Sequence, residues 1–244
     1  MKSKILKIAF SIILLAGFIS LQTFATLASE ERKIGSINIE ITDPDNSLFL
    51  NEARVRTHLD EYGQLVGLFE NQISLSDIHN HLVAIPSVRH AVVYPTLQGD
   101  VNIILTQKHP QARVHPQEGP DFYIDEEGLP MELDPVHSER VPIIHAKDAS
   151  DAQIGMNFLK KIKGDRFWSS LIDQIIITPS GEITLLPRLG APLFLGANLN
   201  VDEKKKNLIT FYREQVRTGN LKNYSRIDLS YRDQVIATRY AQIN

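Results

Sequence analysis

The chain has 244 residues and a formal net charge of -3, with 43% hydrophobic and 23% charged side chains, an ordinary composition for one or two globular domains. That balance offers no basic field for nucleic acid. The absence of cysteine excludes disulfides, thiolate metal sites and cysteine nucleophiles. In chain order, Lys2, Lys4 and Lys7 come first, followed by an uncharged stretch from Ile8 to Ser29. About 22 residues suffice for a helix to cross roughly 30 Å of hydrocarbon. The preceding lysines predict that residues 1–7 stay in the cytoplasm, that 8–29 form a transmembrane helix and that the rest lies outside. A cleaved signal peptide is the competing reading, because Thr26-Leu27-Ala28 loosely fits a small-x-small site, although the apolar run exceeds a usual signal core. Both readings export the remainder.

Residues 33–107 read as strand, helix, helix, strand, strand. Ile37, Ile39 and Ile41 alternate with polar residues as in a half-buried strand, and Asp43-Pro44-Asp45-Asn46 breaks the run. Asn51 can cap a helix carrying Val55 and Leu59. Ser74 or Ser76 starts a second helix with Ile78, Leu82 and Val83, which ends before Pro86. Val88 to Tyr94 and Val101 to Thr106 read as strands around Gln98-Gly99-Asp100. The expected module has two helices on one face of a three-stranded sheet, and Lys108-His109-Pro110 marks its boundary because proline interrupts a ladder.

Residues 108–244 carry more strand signals. Phe122-Tyr123-Ile124, Asp125-Glu126-Glu127-Gly128 and Leu129-Pro130-Met131 predict strand, turn and returning strand. Val141 to Ile144 is a short apolar run. Helical spacing follows over 151–163 and 166–172, then strands over Leu171 to Ile177 and Glu182 to Leu186 around Pro179-Ser180-Gly181. Asp202 to Arg217 reads as an amphipathic helix with Lys204, Lys205 and Lys206 on its solvated side. Tyr224 to Leu229 and Gln234 to Tyr240 form a last strand pair. The fold class expected is α+β: an N-terminal transmembrane helix, a small POTRA-like module, then a β-rich domain with flanking helices.

The order of these features resembles the bacterial cell-division family FtsQ, called DivIB in other lineages. Val101-Asn102-Ile103-Ile104-Leu105 followed by Lys108-His109-Pro110-Gln111-Ala112-Arg113 is similar to the junction between that family's POTRA and β domains. Phe122 to Gly128 resembles its next hairpin, and Ile227-Asp228-Leu229-Ser230-Tyr231 its Asp-Leu-Arg-Tyr signature, with Ser230 in place of the usual arginine. The resemblance implies a non-enzymatic scaffold at the division septum of the inner membrane, joining early division proteins to an FtsB–FtsL pair, with no cofactor and no small-molecule substrate. An envelope-assembly or export component that uses its POTRA module to bind other polypeptides is the alternative.

Chemistry-bearing constellations are weak. His79 and His81 lie two apart on different faces of a helix and chelate poorly there. Asp125, Glu126 and Glu127 read as solvated turn carboxylates, whereas general acid catalysis needs separated carboxyl groups in unlike environments. His109, His115 and Ser138 lack a nucleophile elbow, and Phe167 and Trp168 read as core. No catalytic, metal or cofactor residue is expected. The expected partner surface is the closing strand: Ser230, Tyr231, Gln234, Val235, Ile236, Ala237 and Thr238. Little chain follows to cover it, which predicts an open sheet edge that another extended chain can join. Tyr231 is the expected anchor, since an exposed tyrosine buries much area at low entropy cost. The resemblance implies an FtsB contact in the same region. The competing reading packs Tyr231 inward and blunts the edge with Arg239.

Overall fold

The computed structural model describes residues 10–20, 22, 32–42, 49–196 and 200–241. The chain divides into two compact units, Met1–Gln107 and Lys108–Asn244. The cytoplasmic tail 1–7, most of the expected span 8–29 beyond residue 20, and the break at 43–46 lie outside the described residues. Residues 10–20 are helical, and Phe10, Ile13, Leu14 and Phe18 are exposed. Among the described residues, no helix is long and apolar enough to cross a membrane.

The first unit runs β1 (Ile37–Ile41), α1 (Glu52–Tyr62), α2 (Leu75–Val83), β2 (Val88–Pro95) and β3 (Val101–Gln107), with sheet order β1-β3-β2. This is the strand-helix-helix-strand-strand set expected from the sequence. Each helix begins where a side chain accepts an otherwise orphaned amide: Asn51 from Arg54 N–H at 2.9 Å and Ser74 from Asp77 N–H at 3.1 Å. β1 lies parallel to β3, from Ile37 opposite Val101 to Ile41 opposite Leu105, and the connection between them carries both helices and β2. Val55, Leu59, Ile78 and Leu82 bury against Ile103 and Leu105. The β2–β3 turn needs Gly99, whose φ is 93° and where a Cβ would come within 2.7 Å of the Lys33 carbonyl.

The second unit opens with β4 (Pro110–Pro116), β5 (Phe122–Asp125), β6 (Pro130–Glu132) and β7 (Ile143–Ala146). Then come α3 (Ala149–Lys161), α4 (Arg166–Leu171), β8 (Ile172–Ile177), β9 (Ile183–Pro187) and β10 (Leu193–Gly196). It closes with α5 (Val201–Arg217), β11 (Tyr224–Asp228) and β12 (Ile236–Arg239). All nine strands join one sheet in the order β12-β11-β10-β9-β8-β7-β4-β5-β6. Pairing is parallel at β4/β7, β7/β8 and β10/β11 and antiparallel elsewhere. The three helices pack Met156, Phe158, Trp168 and Leu208 into a core with Val114, Ile144, Ile175, Leu185 and Ile227 from the sheet. Gly155 lets α3 approach β7, because a Cβ there would lie 3.0 Å from the Ile144 side chain.

Three expectations are corrected. Pro110 does not interrupt a ladder; it opens β4, where the first strand residue can dispense with its N–H. Asp125 is not a solvated carboxylate: it is 2% exposed, and its Oδ1 accepts the N–H groups of Glu127 and Leu129, closing the β5–β6 turn from within. Lys204 is not on a solvated face but 5% exposed.

Candidate partner-binding site

β12 is the last strand at one end of the nine-stranded sheet and, among the described residues, pairs on one side only, with β11. Its direction is fixed by small contacts. Tyr240 N–H donates to the Asn223 carbonyl at 3.1 Å, and the Thr238 carbonyl accepts from Ser225 Oγ at 3.2 Å. The even-numbered residues therefore turn their backbone groups toward β11. By strand alternation, Val235, Ala237 and Arg239 turn theirs toward the open edge. Side chains follow the opposite logic: Ala237, opposite Ile227, packs on the core with Val235, while Ile236 and Thr238 are exposed.

The loop between β11 and β12 is held by the N-terminus of α5. Asn200 caps that helix. Glu203 Oε1 accepts Asp233 N–H at 3.2 Å, and Asp233 has a φ of 58°, the left-handed conformation that an aspartate tolerates better than most residues. Lys204 Nζ reaches under the loop and donates to the Leu229 carbonyl at 2.5 Å. Burial lowers the Lys204 pKa, with Glu203 and Asp228 acting against that shift. Ser230 donates through both N–H and Oγ to Asp228 Oδ1, at 2.9 and 2.6 Å. Its Cβ sits 3.0 Å from where a Cβ on Gly196 would stand, so β10 and this loop are in close contact. The next residue of α5, Lys205, bonds Asp165 Oδ2 at 2.6 Å. That bond holds the Asp165 carboxyl below its usual pKa and ties α5 to the N-terminal cap of α4.

The expected site residues thus form one strip along the loop and edge strand. Tyr231 is 50% exposed and is not core; Gln234, Ile236 and Thr238 are exposed; Ser230, Val235 and Ala237 are half-buried. Arg239 places its guanidinium over the Tyr224 ring, 5.8 Å from the centroid. Next to the strip, Arg226 lies over Phe194 at 4.3 Å and pairs with Asp228 at 3.2 Å. Tyr231 and Arg232 border a small pocket with Asn200, Glu203, Lys204 and Ser230.

Residues 109–238 match the protein family described as FtsQ/DivIB, C-terminal related. The chain belongs to the FtsQ/DivIB family. Residues 33–106 match a POTRA-like domain, so a POTRA-like unit precedes the FtsQ/DivIB domain. Comparison with curated proteins finds no match. The FtsQ/DivIB match begins at β4 and runs into β12, so the open edge strand belongs to the family's own domain. FtsQ/DivIB proteins are non-enzymatic cell-division scaffolds.

His81 Nε2 lies 2.7 Å from the His58 carbonyl, and among the described residues no group of three or more His, Cys, Asp or Glu could hold a metal ion. The lysine run hid Lys204, whose ammonium holds the β11–β12 loop. Lys204 falls at i, i+4 and i+8 with Leu208 and Tyr212 on the buried stripe of α5, and that register was the signal that could have found it.

Proposed function

We propose that this FtsQ/DivIB-family protein is a membrane-anchored scaffold of the bacterial division complex that receives an extended segment of an FtsB/FtsL-type partner along β12. The observation that carries this reading is the open edge of β12, flanked by the half-exposed Tyr231. An unpaired edge offers a row of N–H and C=O groups to an incoming strand, and alternate side chains then supply specificity. Ile236 and Tyr240, both exposed, add apolar area beside it. The exposed apolar helix at 10–20, behind three lysines, supports an anchor with the two units outside the cytoplasmic membrane, at the septum. POTRA-like domains generally bind other polypeptides, which supports a protein partner rather than a small-molecule substrate.

The test is co-isolation of the FtsB-type partner of the same organism with the 244-residue chain. Tyr231→Ala is expected to weaken that complex by about 2 kcal/mol or more, as loss of an interface hot spot does, with the melting temperature unchanged. Normal partner recovery with the variant would remove Tyr231 from the interface.

A second reading is favoured by one observation. β2 is the edge of the first unit's sheet, eight residues long, with Val92 and Tyr94 exposed. An envelope-assembly component binding other chains would use that edge instead. Charged substitutions of Val92 and Tyr94 separate the two readings: they would abolish partner recovery only under the second.

A further inference from the structure

The second unit contains a pocket of about 270 Å³, close to the lower end of the range for small-molecule sites. Its floor is apolar, with Met156 and Ile172 among the buried residues that line it. Its rim is basic. Arg140, from the segment before β7, lines the same pocket as Lys160, in the last turn of α3, and Lys163, just after it, and none of the three makes an ion pair among the described residues. Arg188 also lines it, paired with Asp173 at 3.5 Å. The only acidic lining residue is Glu126, whose Oε2 already accepts His109 N–H. Lys160 and Lys163 complement the C-terminal end of α3, but that does not account for Arg140, which converges from a different segment. Trp168 contributes one wall. It is 1% exposed, and its Nε1 has no hydrogen-bond partner among the described residues, which native proteins rarely tolerate without a bound water or ligand nearby.

We infer that this pocket binds a small soluble organic anion, a phosphate or carboxylate head carried on a short apolar body. Unpaired cations at the rim fit the head, since charge-assisted hydrogen bonds to phosphate and carboxylate are the strong ones. The Met156 and Ile172 floor fits the body. A concave pit of this volume takes a single small molecule rather than a flat lipid surface. The inference stands apart from partner docking at β12, because no lining residue belongs to that strip.

Trp168 is the single tryptophan of the chain, so its emission reports occupancy without a label. The experiment titrates the 244-residue chain with hexyl phosphate, and separately with hexanol, inorganic phosphate and phosphatidylglycerol vesicles. A saturable change in emission is expected with hexyl phosphate. Arg140→Gln combined with Lys163→Gln, both at exposed positions, is expected to weaken it about tenfold or more without lowering the melting temperature. Inorganic phosphate or hexanol binding as tightly as hexyl phosphate would overturn the inference, as would a response to the vesicles alone. No saturable response, or an unchanged affinity in the double variant, would overturn it equally.

Discussion

Tyr212 shows how one side chain couples the core to pH. Its ring is buried on α5, its hydroxyl donates to the Leu189 carbonyl at 2.9 Å, and burial raises its pKa from 10.0 to about 12. The unfolded chain therefore ionises this phenol first. Its contribution to stability is complete below pH 10 and is lost as pH rises toward 12. Denaturant titrations from pH 8 upward should show Tyr212→Phe flattening the alkaline decline. At pH 8 the variant should lose only about 0.5–1.5 kcal/mol for the missing hydrogen bond. An identical alkaline decline in both proteins would mean the phenol is not the group responsible. The same helix marks where residue-level reading stops. Leu208 and Tyr212 were legible as core, but Lys204 sits in a run of three lysines, and composition outweighed register there. Only the fold reveals that its long stem can pass under the β11–β12 loop to Leu229.

At the scale of elements, most strands and helices were legible because their apolar spacing follows one period and their ends carry caps or turn residues. β4 and β10 were not. β4 begins and ends in proline and sets Gln111, Arg113 and His115 between its buried residues, so it reads as a polar connector. β10 has four residues and follows Gly190 and Pro192. Both became strands because parallel partners in the sheet, β7 and β11, satisfy their backbone groups. β12 is the opposite case: its strand-like composition was legible, and among the described residues it ends the sheet. Strand addition at this edge, as proposed, predicts a specific sensitivity. Ala237 turns its N–H to the open side, so Ala237→Pro removes a donor that only an added strand would use. The variant should keep the fold of the second unit, as seen in its far-ultraviolet circular dichroism, while losing partner binding in calorimetry. Binding retained at wild-type strength would mean that no strand is added there.

For the whole molecule, the order of a POTRA-like unit followed by an FtsQ/DivIB domain was legible from the succession of elements and short motifs, none of which decides alone. The mixed parallel and antiparallel sheet of nine strands was not, since long-range pairing leaves no local signature. Separate hydrophobic clusters in the two units predict that 33–107 folds without 108–244. A fragment ending at Gln107 should unfold cooperatively with dispersed amide resonances; a collapsed, undispersed spectrum would show that it needs the rest of the chain. The central claim, that the protein scaffolds by adding a partner strand to β12, is tested most directly by residue-resolved amide hydrogen exchange with and without the FtsB-type partner. The amides of Val235, Ala237 and Arg239, which face the open edge, should become protected on binding, while those of Thr238 and Tyr240, already turned to β11, should change little. Saturating partner that leaves Val235, Ala237 and Arg239 exchanging as fast as before would contradict it.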